Sequence, residues 1–245
     1  MEVSTGMALL PRASALASPG SRQNWHPQAE PAHFSEIFSA ASDPGGTGAC
    51  IALVEEALRQ REAEVVDRRP LLWVQDERAI KLSGRPYRPG LPAELRHRVI
   101  HVAAKSAQDA LFALEEGLRC RDLACVVGEI AGNPKQFDFT ASRRLALAAE
   151  KHGSLLFLLR HDARADLSAA RMRWRVRSAT SVFPLWGRDA PGPHAWHAEL
   201  FRARAHPPGQ WTLRDDEFAL AAQPAANSPD TSTPDHGDLV LCAGS

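Results

Sequence analysis

The stretch Ser106 to Ile130, SAQDALFALEEGLRCRDLACVVGEI, admits few folds. Ala107, Leu111, Leu114 and Leu118 recur at helical spacing, so one stripe of a helix is apolar. Ser106, with Asp109 three residues on, can cap its first N–H groups. Cys120, Arg121 and Asp122 turn the chain. Leu123 to Val127 is an all-apolar run, as a strand covered on both faces requires. Gly128 and Glu129 are expected to end it. A helix feeding straight into a doubly covered strand is one unit of a parallel α/β sheet. In nucleotide-hydrolysing proteins of that class an aspartate near this strand end holds magnesium. Here the position carries Val127 or Gly128, depending on register.

Upstream, Ser35 to Ser39 reads as a short strand, followed by ASDPGGTG at Ala41 to Gly48. A helix from about Ala49 to Arg61 follows, with Ile51, Val54, Ala57 and Leu58 on one face. Strand, Gly-rich loop and helix is the layout of a phosphate-binding loop. The full motif ends in Gly-Lys-Ser/Thr, because the lysine reaches the phosphates and the hydroxyl holds magnesium. This loop has no lysine. Asp43, Gly45, Gly46, Thr47 and Gly48 therefore form a degenerate nucleotide-site remnant. The plainer alternative is a strand-to-helix turn that needs glycine for positive φ. Leu71 to Gln75 is a second apolar strand, with Asp76 and Glu77 at the carboxyl end where α/β proteins bind ligands. Glu77 there is either a general base for water or one of a solvated pair.

Gly84 to Pro92 is a Pro/Gly loop with the single tyrosine, Tyr87, and Val99 to Val102 is a third strand. Thr140 or Asp138 can cap a helix through Lys151 that turns Leu145, Ala148 and Ala149 inward. Lys151 and His152 suit its negative end, and Gly153 stops it. Leu155 to Leu159 is a further buried strand. The alternation predicts an α/β fold, a mainly parallel twisted sheet flanked by helices. Beyond Arg160 the pattern changes. Met172, Trp174 and Val176 alternate with Arg171, Arg173, Arg175 and Arg177, the period of a half-exposed strand. Trp196 to Arg204 and Gln210 to Arg214 flank a Pro-Pro-Gly turn, which predicts a C-terminal antiparallel hairpin extension. The four arginines point to one face, with Arg202 and Arg204 on the next strand. They are either an ordinary solvated face or a strip for DNA phosphates or an acidic partner.

The chain has 245 residues, with 29 basic and 29 acidic side chains. A formal net charge of zero argues against coating nucleic acid all over, and leaves a local basic patch open. The length suits one core domain, expected at 34–220, with a disordered leader at 1–33 and a disordered tail at 221–245. Glu2 and the short apolar run Met7 to Leu10 argue against a secretory signal, and Met7 is an alternative start. No apolar run approaches the ~20 residues of a membrane span, so a cytoplasmic protein is expected. Cys50, Cys120, Cys125 and Cys242 make no CxxC pair, so no zinc site or other metal or cofactor is expected. Cys50, Cys120 and Cys125 read as buried free thiols. No Ser/His/Asp or Cys/His arrangement stands out.

From Ser35 to Arg214 the order of elements resembles the RecA ATPase core. SEIF with its Gly-rich loop resembles the opening strand and phosphate loop, LLWVQDE the second core strand, and LLFLLR a later one. That resemblance places Glu77 at the water-activating glutamate. A closer resemblance is to the ImuA family, carried by ALFALEEGLRCRDLACVVGEI, TASRRLALAAEKHG, SAARMRWRV and WHAELFRARAHPPGQWTL. Relatives often have a Gly-Gly-x-Pro-Gly turn where this chain has Ala205-His206-Pro207-Pro208-Gly209. The resemblance implies a non-catalytic accessory of SOS-type, damage-induced, error-prone translesion DNA synthesis. Its implied partners are ImuB, an inactive Y-family polymerase relative, and an error-prone replicative-type polymerase, with RecA and DNA as further contacts. The alternatives are a RecA-like ATP-dependent DNA-binding protein using Glu77 and a SulA-like cell-division inhibitor acting on FtsZ.

Overall fold

A computed structural model describes residues 31–61, 67–182, 190–216 and 219–225. The expected leader through residue 30, the tail beyond Ala225 and Cys242 lie outside the described residues. Nine strands form one sheet in the order β3-β2-β4-β5-β1-β6-β7-β8-β9. Strands β1 (Phe34–Ser39), β2 (Leu71–Asp76), β3 (Val99–Ala104), β4 (Cys125–Ala131), β5 (Leu156–His161) and β6 (Met172–Ser178) are parallel. Strands β7 (Ala195–Ala203), β8 (Gly209–Asp216) and β9 (Ala219–Pro224) continue it antiparallel. The α/β alternation and the hairpin are where the sequence places them.

Strand alternation sorts the side chains into two cores. On the first face, α1 (Gly45–Arg61) packs Ala49, Leu53 and Ala57 with Ile37, Phe157, Leu159 and Trp174. On the second, α3 (Ala107–Arg119) and α4 (Phe139–His152) pack Leu111, Leu114 and Leu145 with Val74, Val126, Leu156 and Leu158. Each such fully buried side chain contributes about 1.5–3 kcal/mol relative to exposure. Ser106 caps α3, Asp138 rather than Thr140 caps α4, and Gly153 ends α4 at φ 65°. A short helix α2 (Glu77–Ser83) follows β2 directly.

Three expectations are corrected. Strand β4 does not end at Gly128 and Glu129 but runs through Ala131. Gly128 sits inside it because Leu114 and Leu158 press close: a Cβ would lie 2.8 Å from Leu158 Cδ1. Strand β9 extends regular structure to Pro224, past the expected end at 220, because β8 offers it a backbone edge and Leu220 is buried. Cys120 is exposed at the C-cap of α3, whereas Cys50 and Cys125 are buried. Among the described residues, no helix is long and apolar enough to cross a membrane.

Candidate functional site

The chain leaves β1 for α1 on the first face. It leaves β5 for a connection that packs on the second, where Ala169 N–H donates to Ser142 of α4. Such a divergence opens a crevice at the carboxyl ends of the two strands, where α/β sheets take ligands. Here two carboxylates of the chain itself accept the local donors, beside a cavity of about 630 Å³ that both of them line. Asp43 Oδ1 accepts from Gly45 N at 2.8 Å and Ser178 Oγ at 2.5 Å, and Oδ2 accepts from Ser178 N at 2.8 Å. Asp162, held at φ 49°, accepts from Ala41 N at 2.8 Å. A helix N-terminus favours negative charge, and Asp43 supplies it. Partial burial opposes ionisation of Asp43. Its bonds from Ser178 and Gly45 and the charge of Arg177 outweigh that, so its pKa lies below the usual carboxylate value.

The glycines do not form a loop. Gly45, Gly46, Thr47 and Gly48 are the first turn of α1, and none of these glycines has positive φ. The requirement is close approach instead. A Cβ on Gly46 would overlap Ser39, and one on Gly45 would overlap Ser178. The first turn of α1 thus lies directly on the end of β1, leaving no backbone cradle for a phosphate. Glu77 is not brought to this crevice. It is the exposed first residue of α2, paired with Lys81 at 2.7 Å, and β4 and β5 separate its strand from β1. Asp76 caps α2 through Ala79 N at 2.6 Å.

The principal polar group of the carboxyl end is one that periodicity did not single out. Glu129, within β4, is 1% exposed. It accepts from Trp73 Nε1 at 2.9 Å, Gln75 Nε2 at 3.0 Å and Ser83 Oγ at 3.0 Å. His161 Nε2 lies 3.1 Å away and, facing an acceptor-only carboxylate, carries the proton. Burial pushes the Glu129 pKa up, but the bonds from His161, Gln75 and Ser83 bring it below its ordinary value. A charged residue in an otherwise apolar strand was the available signal.

No family model matches the chain. Protein ImuA from two strains of Caulobacter vibrioides is 35% identical to it over 145 residues, 55% of this chain and 56% of the relative. Over that stretch the chain is similar to ImuA. The chain matches about half the length of these curated ImuA relatives.

The six candidate arginines do not form one strip. Arg173 is buried, because Glu36 stands beside it in register on β1. Its Nε donates to Glu36 Oε2 at 2.7 Å and its Nη2 to Asp166 O at 2.8 Å. Arg160 joins the same carboxylate at 3.8 Å and lies over the Phe137 ring. Phe38 and Phe201 flank Arg173. Arg171 pairs with Glu150 at the start of β6. Arg175 pairs with Glu199 across β7 at 2.5 Å, and Arg177 is exposed beyond it. Arg202 and Arg204 are exposed at the opposite end of the strands. A β-bulge between Arg173 and Trp174 shifts the pairing and leaves Phe201 as the extra residue of β7.

Proposed function

We propose that this chain is a non-catalytic accessory protein of DNA-damage-induced, error-prone translesion synthesis. The observation that carries the reading is the N-terminus of α1, where the Asp43 carboxylate already accepts the Gly45 N–H and ties it to Ser178 N of β6. The loop has no lysine, and neither Val127 or Gly128 nor Ala131 at the end of β4 is a carboxylate that could hold magnesium. Phosphoryl transfer is chiefly positioning and charge neutralisation, so a site lacking these parts supports binding to proteins rather than turnover. The proposed setting is the cytoplasm. The proposed partners are an ImuB-like inactive polymerase relative and an error-prone replicative-type polymerase, with RecA as a further contact.

The partner surface we assign is the second face of β6 to β8. Trp174, Val176, Ala198, Trp211 and Leu213 are buried on the first face. Alternation then leaves Arg175, Arg177, Glu199 and Thr212 on the second, which no described helix covers. Its exposed guanidinium groups suit an acidic partner surface. Purified protein should show no ATP turnover, with or without single-stranded DNA, above a Glu77→Gln control. A pull-down from damaged cells should recover the ImuB-like protein and the polymerase, and Arg175→Gln with Arg177→Gln should lose them. Turnover that vanishes in Glu77→Gln, or recovery of FtsZ instead, contradicts the reading.

A further inference from the structure

Nearly every strand from β3 to β7 brings a cation to the same end of the sheet. Arg98 precedes β3, Arg69 precedes β2, Arg121 precedes β4, and Lys151 and His152 precede β5. Arg171 precedes β6, while β7 runs the other way and delivers Arg202 and Arg204 to that end. At β1, Arg61 from the end of α1 reaches His33 and donates to Gly153 O at 2.9 Å. With neighbouring strands ~4.8 Å apart, the row is about 29 Å long. Its centre is a notch of about 300 Å³ lined by Arg61, Arg69, Arg121, Lys151 and His152.

Local structure explains part of the row. Arg61, Lys151 and His152 also complement the negative ends of α1 and α4. Arg69 pairs with Asp67, and Arg171 with Glu150. Arg98 donates to Arg69 O at 2.9 Å, while Arg121, Arg202 and Arg204 have no such account. Arg121, Lys151, Arg202 and Arg204 are exposed and make no ion pair with a described residue. The connections that lead into these strands also carry Glu94, Asp122 and Asp166, and Glu62 and Glu64 follow Arg61 in the sequence. In a chain of zero net charge, the row of cations is a local concentration of positive potential.

We infer that this rim binds the phosphodiester backbone of DNA without reading its sequence. No Phe, Tyr or Trp lines the notch, and its cations suit contacts to phosphates. A single phosphate would occupy part of the notch and leave most of the row unused. A regular polyanion matches its length, which spans about eight nucleotides of one strand at ~3.4 Å each. The inference stands apart from the partner face, which uses Arg175 and Arg177.

The test is fluorescence anisotropy of a labelled single-stranded oligonucleotide longer than the row, across a salt series. The full chain is compared with Arg121→Gln/Lys151→Gln/Arg204→Gln and with Arg175→Gln/Arg177→Gln. The rim variant should bind about tenfold more weakly or worse, with a log–log salt slope flatter by about two. The face variant should bind as wild type, and oligonucleotides of different sequence should bind alike. If the triple variant melts early, the single Arg121→Gln and Lys151→Gln variants, each flattening the slope by about 0.7, replace it. Wild type that does not bind, or variants with unchanged affinity and slope, would overturn the inference. So would displacement by pyrophosphate at equal phosphate concentration, which would mark a free-phosphate site. Loss of poly-glutamate binding with DNA binding intact would mark an acidic protein surface instead.

Discussion

The two ends of the sheet treat charge in opposite ways. At the carboxyl ends, Asp43, Asp76, Asp162 and Glu129 each spend their oxygens on the chain's own donors. At the amino ends, Arg121, Lys151 and Arg204 project into solvent with no described carboxylate paired to them. The carboxylates at the usual ligand end of the sheet are therefore engaged from within, and the other end carries cations with no described carboxylate paired to them. Strand β6 repeats the contrast on a smaller scale: Arg173 is buried against Glu36, while Arg175 and Arg177 face outward.

The largest effect should come from the carboxyl end. Glu129→Ala leaves the Trp73, Gln75, Ser83 and His161 donors facing an empty site. It should cost on the order of 4 kcal/mol in urea denaturation. A loss below about 1 kcal/mol would mean that these bonds contribute little. The pH dependence has a definite sign. The folded pKa of Glu129 is depressed, so its contribution is present above the ordinary value of 4.5 and is lost as pH falls through the lowered value. Acid should therefore destabilise wild type more steeply than Glu129→Gln.

Arg173→Met should come next, at about 3 kcal/mol, because it strands a buried carboxylate at Glu36. If it instead behaves like a surface change, the contrast within β6 fails. Asp43→Ala should cost about 1 kcal/mol, because its carboxylate accepts the first N–H of α1 at Gly45 and ties Ser178 to it. Its pKa is likewise depressed, so the difference from wild type should shrink as pH falls through that lowered value. Smallest should be Arg175→Gln, within about 0.5 kcal/mol, since its pair with Glu199 is well exposed. A thermal melt of each variant sets these in order.

Local pattern was enough for much of the fold. The stripe on α3, the caps at Ser106 and Gly153, and the switch to period two at Met172 all express interactions within a few residues. What periodicity missed depended on partners far along the chain. Arg173 looks solvated until Glu36, 137 residues earlier, is placed beside it. Glu129 looks like a strand end until Trp73 and Gln75 from β2, Ser83 from α2 and His161 from β5 surround it. The Gly45–Gly48 segment looks like a loop, because composition cannot distinguish glycine for positive φ from glycine for close packing. The rim required the strand order, since its cations come from separate connections.

The central claim is that the chain's own carboxylates take up donors at the carboxyl ends of β1 and β6 that a nucleotide's phosphates would need. Titration calorimetry of the full chain with ATP and magnesium tests it most directly. The account predicts no saturable heat at nucleotide concentrations up to about 1 mM, a threshold near −4.1 kcal/mol of binding free energy. Saturable binding that ADP competes away and that changes on Asp43→Ala would contradict it.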